Sequence, residues 1–188
     1  MALREILTEP NKLLREKSLT VEEVDKDLQK LMDDMLETMY AAPGIGLAAI
    51  QVGVPKRIIV LDIGWRDKSE STNEKKHEKH EERKNPMYFV NPVIIAKSAN
   101  NSTYEEGCLS VPGQFAEIDR PDKCHIKYLD YYGQPKEIKA EGMLATCIQH
   151  EIDHLEGILF IDYLSKLKKT MIIKKLSKQK KVIERIVV

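Results

Sequence analysis

Residues 149–157 read Gln-His-Glu-Ile-Asp-His-Leu-Glu-Gly, and a His-Glu-x-x-His run of this kind commits its segment to a helix. His150 and His154 stand four apart, so a helix projects them one turn apart from the same face, where two imidazoles can grip one divalent metal. Histidines at that spacing also occur on ordinary helix surfaces, so the flanks decide. Leu144, Cys147, Ile148, Ile152 and Leu155 make this helix apolar on most sides, and the run Ile158-Leu159-Phe160-Ile161 follows. Such a helix is mostly buried, and imidazoles and a carboxylate inside it are costly without a partner. A metal is the simplest partner. Glu151, beside the first histidine, then leans over the open coordination position and takes a proton from a bound water. The motif thus names a hydrolase with a metal-activated water.

A site with two histidines needs a further protein ligand. Metzincin-type proteases place a third histidine six residues after the second, behind a glycine; Gly157 is in position, but Phe160 stands where that ligand belongs. Further downstream Asp162 and Glu184 fit poorly, so the ligand is sought upstream. The three cysteines, Cys108, Cys124 and Cys147, form no Cys-x-x-Cys pair, and their odd number argues against a disulfide framework. Cys147 shares the face of His150 but reads as packing, and Cys124 alternates within a strand-like run. Cys108, in Glu105-Glu106-Gly107-Cys108-Leu109-Ser110-Val111-Pro112, is the best candidate.

Residues 43–53, Pro-Gly-Ile-Gly-Leu-Ala-Ala-Ile-Gln-Val-Gly, form a small-residue stretch behind an amphipathic helix. No Lys-Ser/Thr follows and no strand precedes, so this is no phosphate loop. Two readings stay open: a tight helix-to-strand connection, or backbone approaching a small substrate with the Gln51 amide as donor.

The three segments in order, Gly44-Ile-Gly-Leu-Ala-Ala-Ile-Gln51, Glu106-Gly-Cys-Leu-Ser110 and Gln149-His-Glu-Ile-Asp-His154, closely resemble the three signature motifs of bacterial peptide deformylases, from about residue 4 to residue 165. The resemblance implies Cys108, His150 and His154 as metal ligands, Glu151 as general acid/base, and Gln51 with the Leu109 backbone N–H as oxyanion donors. It implies that Gly46 lines a cleft where the peptide runs extended, and that Ile45, Tyr104, Glu106, Gly107, Phe115, Met143, Thr146 and Cys147 contact substrate. The implied reaction removes the formyl group from N-formylmethionyl nascent peptides and releases formate. The implied cofactor is one divalent ion, Fe(II) in the cell, with Zn(II), Ni(II) or Co(II) also suited to a thiolate site. Two positions depart from the family pattern: Phe115 stands where many relatives carry arginine, and Thr146 where an aliphatic residue is common. The competing readings are a metallopeptidase, which Phe160 and the cysteine disfavour, and a non-catalytic, ribosome-docking scaffold, which needs neither Glu151 nor Gln51.

At 188 residues the whole chain, 1–188, reads as a single domain. No apolar stretch approaches 18 residues and no signal or transit segment is recognisable, so a soluble, cytoplasmic protein is expected, with no membrane partner. Thr20-Val-Glu-Glu23 reads as a capping box opening a helix to about residue 40, with Val24, Leu28, Leu31, Met32, Met35, Leu36 and Met39 as its core face. Strand-like runs follow at 57–63, 88–97, both flanks of Cys108, 123–130 and 136–140, with a hairpin turn at Tyr132-Gly133-Gln134. The expected fold is α+β: mostly antiparallel sheets around a central metal-binding helix, plus N-terminal and C-terminal helices. Residues 67–85 hold six acids and six bases and no apolar residue, so they read as a charged, mobile insert in which His77 and His80 have no metal role. Residues 165–188 carry nine Lys/Arg against Glu184 alone, with Leu167, Met171, Ile172, Leu176 and Ile183 at roughly helical spacing. That basic C-terminal helix is either a surface helix packed by one stripe or a face for the ribosome and its RNA, and zero net charge gives no hint of DNA.

Overall fold

The structure, a computed structural model, describes the backbone of residues 2–64 and 84–186 and the side chains among them as far as residue 179. Residues 65–83, and with them nearly all of the charged segment and both of its histidines, lie outside the described residues.

Helix α1 spans Lys26–Ala41, and the Asp25 side chain caps it by accepting the Leu28 N–H at 2.7 Å. The sequence pattern opened this helix at Thr20, and the structure corrects that. Val21 is pinned by Asn91, whose side chain accepts the Val21 N–H and donates to the Val21 carbonyl, both at 2.8 Å. Leu19 donates to Pro55 O and accepts from Arg57 N, so residues 19–21 serve as a tether and the box cannot close.

Strands β1 (Gly46–Ala48), β2 (Ile58–Leu61), β3 (Met87–Lys97), β6 (Lys123–Leu129) and β7 (Pro135–Glu141) form one antiparallel sheet in that order. Strands β4 (Asn101–Cys108) and β5 (Val111–Pro121) form a separate hairpin. The expected runs all become strands, with ends moved by a few residues. The turn between β6 and β7 forms as read: Gly133 has φ +76°, and Asp130 accepts its N–H.

Strand β2 shows how the sheet is covered. Side chains alternate across a strand, and all four of its residues are buried, so both faces are packed. Ile58 and Val60 meet Leu28, Met32, Met35 and Met39 of α1. Ile59 and Leu61 face the opposite way, onto Ala145, Ile148 and Ile152 of helix α2 (Gly142–Leu155). The His-Glu-x-x-His helix is therefore the central one, with the sheet on one side and the β4–β5 hairpin on the other, giving the expected α+β architecture. A third cluster joins Val111 and Ile118 of β5 to Leu159, Phe160, Ile161 and Leu176.

Leu176 belongs to helix α3 (Lys166–Ile186), which packs through Ile172, Ile173 and Leu176. The stripe is narrower than the sequence pattern implies: Leu167 and Met171 point outward, 72% and 63% exposed, and the Ile183 side chain lies outside the described residues. Among the described residues no helix is long and apolar enough to cross a membrane.

Candidate active site

Three chain segments meet at the hairpin's tip. Cys108 ends β4, where the register with β5 shifts just after Gly107 and turns the thiol toward α2. His150 and His154 come from the buried face of α2. The ligand atoms of Cys108, His150 and His154 all lie within 4.8 Å of one another, and Cys108 Sγ is 3.2 Å from His154 Nε2. One thiolate and two imidazole nitrogens converging at that range fit a single divalent ion.

The surroundings fit it too. His150 Nδ1 is 2.8 Å from Glu106 Oε2, which leaves Nε2 for the metal and fixes the ring as a carboxylate partner of a metal-bound histidine does. Burial disfavours a charged His150, yet Cys108 and Glu106 outweigh it and raise its pKa well above the ordinary value. A metal cation would supply the positive charge those two anions draw in. For His154, burial and then the neighbouring His150 charge hold the pKa well below the usual imidazole value, so it stays neutral, as a ligand must.

Glu106 is itself held. Burial works to raise its pKa, but hydrogen bonds from His150 and Arg120 keep it below the ordinary carboxylate value. Arg120, 3% exposed, donates through Nη2 to Glu106 at 3.0 Å and through Nη1 to Asp153 at 2.7 Å. Its residue type drew no attention in the sequence, although a signal existed. Arg120 shares a face of β5 with buried Ile118, an inward phase where a cation requires an anion.

Glu151 is 5% exposed, and its Oε2 has no hydrogen-bond partner among the described residues. Burial pushes its carboxyl up to about 7, with the His150 charge opposing and Glu106 adding to the rise. Gly46 faces it directly: a Cβ there would sit 2.9 Å from Glu151 Cδ and closer still to Oε1. Gln51 follows β1 in a short 3-10 turn; its Oε1 accepts the Ala48 N–H at 2.8 Å. Its Nε2 donates to Ser110 Oγ at 3.0 Å and lies 3.6 Å from Cys108 Sγ. Residues 43–53 thus combine both readings left open, a helix-to-strand connection and a backbone wall of the site.

These residues border a cleft of about 520 Å³. Ile45, Gly46, Gln51, Tyr104, Glu106, Gly107, Cys108, Leu109, Phe115, Met143, Thr146, Cys147, His150 and Glu151 all line it, so the structure brings every sequence-derived candidate together, with His154 behind the wall. Phe115 and Met143 stand at the rim, 65% and 42% exposed. The N-terminal segment, which carries no motif, braces the cleft: Leu7 N donates to Gln51 O at 2.7 Å and Glu9 N to Ser110 O at 2.9 Å.

The family model for polypeptide deformylase matches residues 3–170. This chain belongs to the polypeptide deformylase family. It is 65% identical over 180 residues to the peptide deformylase of Pelagibacter ubique (strain HTCC1062), covering 96% of each chain. It is 57% identical to that of Maricaulis maris (strain MCS10), covering 96% of each chain. The crystal structure of peptide deformylase from Ehrlichia chaffeensis superposes with a TM-score of 0.86 at 44% identity, covering 96% of this chain and 98% of that one. Another structure of the Ehrlichia chaffeensis deformylase, in complex with actinonin, gives 0.84 at 45% identity, covering 95% and 98%.

Proposed function

We propose that this deformylase hydrolyses the N-formyl group of formylmethionyl nascent peptides, releasing formate, with a metal held by Cys108, His150 and His154. The observation that carries the reading is the pairing of that three-ligand cluster with the buried Glu151 carboxylate, whose Oε2 has no hydrogen-bond partner among the described residues, on the wall of one cleft. A divalent cation there supplies Lewis acidity, lowering the pKa of a water and polarising the formyl oxygen. Glu151 takes the proton of the attacking water and returns it to the departing amine, a role suited to a carboxyl near pH 7. As the formyl carbon becomes tetrahedral, negative charge on its oxygen is met by the Gln51 amide and the Leu109 N–H, donors whose loss costs about 10²–10³ in rate. Ser110 and the Ala48 N–H hold the Gln51 amide in place for that task. Gly46 at the free edge of β1 leaves room for an extended peptide backbone and little beyond a hydrogen on the acyl carbon. Ile45, Met143, Thr146 and Cys147 receive the methionine side chain, with Tyr104, Gly107 and Phe115 along the peptide.

Fe(II) is our assignment for the metal in the cell; the same soft donor set accepts Zn(II), Ni(II) or Co(II). Work on nascent chains supports a cytoplasmic location as our reading, and the exposed lysines of α3 are our candidate face for ribosomal RNA. Deleting the residues after Lys169 tests that face, and ribosome binding with unchanged salt dependence would remove it.

The primary experiment is formate release from formyl-Met-Ala-Ser by protein purified anaerobically with Fe(II), beside Glu151→Ala. Turnover by the first and none by the metal-loaded second is the expected result. No turnover by metal-loaded wild type would leave the non-catalytic scaffold as the reading.

A further inference from the structure

Beside the catalytic cleft lies a second groove of about 670 Å³, between β5 and α3. Gln114 and Phe115 line both, so Phe115 is a shared wall with one hollow on each side. The groove's floor is apolar, from Ala116, Leu164, Met171 and Ile172, and among the described residues two lysines, Lys168 and Lys175, stand against one acid, Glu117. Met171 is 63% and Phe115 65% exposed, although their chain neighbours Ile172 and Ala116 pack against one apolar cluster. Two large apolar side chains left outward across one groove mark a binding surface more readily than chance exposure does.

We propose that this groove receives the substrate peptide beyond its first three residues, and selects for apolar and acidic side chains there. The inference rests on the deformylase reading and extends it. Continuity identifies the occupant. A cleft of about 520 Å³ accommodates only the first few residues of a nascent chain. An extended chain advances roughly 3.3 Å per residue, so the next residues must leave past the rim. Phe115 forms that rim on the groove's side. Passing over it, apolar side chains meet Met171 and Ile172, and an acidic one meets Lys168 and Lys175. Phe115 then acts as a signpost for downstream sequence.

The test compares kcat/KM for formyl-Met-Ala-Ser, formyl-Met-Ala-Ser-Leu-Glu-Leu and formyl-Met-Ala-Ser-Lys-Lys-Lys, with wild type and Met171→Glu/Lys175→Glu. The leucine–glutamate hexapeptide is expected to gain on the order of fivefold to tenfold over the tripeptide, entirely through KM, and the lysine hexapeptide to gain nothing. The double variant should lose the gain and keep wild-type turnover of the tripeptide, because both positions are exposed and outside the cleft lining. Equal kcat/KM for all three peptides, or a variant that shifts tripeptide and hexapeptide alike, overturns the proposal. So does a hexapeptide gain that survives the variant while self-association or RNA binding is lost, since another occupant then holds the groove. Wild-type turnover of the tripeptide reports separately on the deformylase reading.

Discussion

The distance between Gly46 and Glu151 sets the tolerance of the whole site. A methyl on Gly46 would overlap the carboxylate, so Gly46→Ala is expected to displace Glu151 and lower kcat about 10²-fold while hardly moving Tm. The same crowding predicts rejection of a substrate whose acyl carbon carries a methyl: N-acetyl-Met-Ala-Ser should show no turnover where the formyl peptide does. Arg120 presents the opposite case, a residue whose removal damages both fold and metal. Arg120→Ala leaves the buried Glu106 and the half-buried Asp153 without their cation, which costs about 3–5 kcal/mol in urea unfolding. It also frees the carboxylate that orients His150, so metal affinity should fall about 10–100-fold in chelator competition. At this scale the sequence was informative where residues stand in motifs, since Cys108, His150, Glu151 and Gln51, singled out there, meet at one site. It was silent on Arg120 and the Leu7–Gln51 contact, because both depend on which distant segment a strand or strap lies against.

Elements were legible in proportion to their periodicity. The core face of α1 and the runs that become β2, β3, β6 and β7 follow from the spacing of apolar residues, whereas the start of α1 and the order of the strands in the sheet did not. Local capping grammar pointed to Thr20, and the tertiary clamp of Asn91 on Val21 overrode it. The outward turn of Leu167 and Met171 escaped the sequence for a similar reason: a helical stripe does not say how wide the facing surface is. Asp162 shows how short elements are joined. It accepts the Leu159 N–H and pairs with Arg15 and Lys169, tying the segment after α2 to the N-terminal strap and to α3. Burial works to raise its pKa, yet these partners hold it below the ordinary 3.8. A depressed carboxyl pKa means its stabilisation is complete above the ordinary value and is lost as pH falls through the lower folded value. Asp162→Asn should therefore unfold at lower urea than wild type at neutral pH. The gap should hold as pH falls to about 4 and close in stronger acid.

Across the whole molecule, the metal we propose would couple the hairpin to the central helix. Cys108 belongs to one and the histidines to the other, so binding energy at the site is also docking energy between layers. Stripping the ion with a chelator is expected to abolish turnover and lower Tm, and graded addition of Fe(II) or Zn(II) should restore Tm in a concentration-dependent manner. A melting temperature indifferent to metal would place the ligands outside that coupling. The cleft is lined from residues 42–51, 104–115 and 143–151, separated by long spans of chain and closed from behind by a fourth segment. Catalytic competence is therefore a property of completed topology. During refolding, helical signal should return first through local contacts, and formate release only when the most distant pairings have closed, which makes the reaction a clock for the last step of folding.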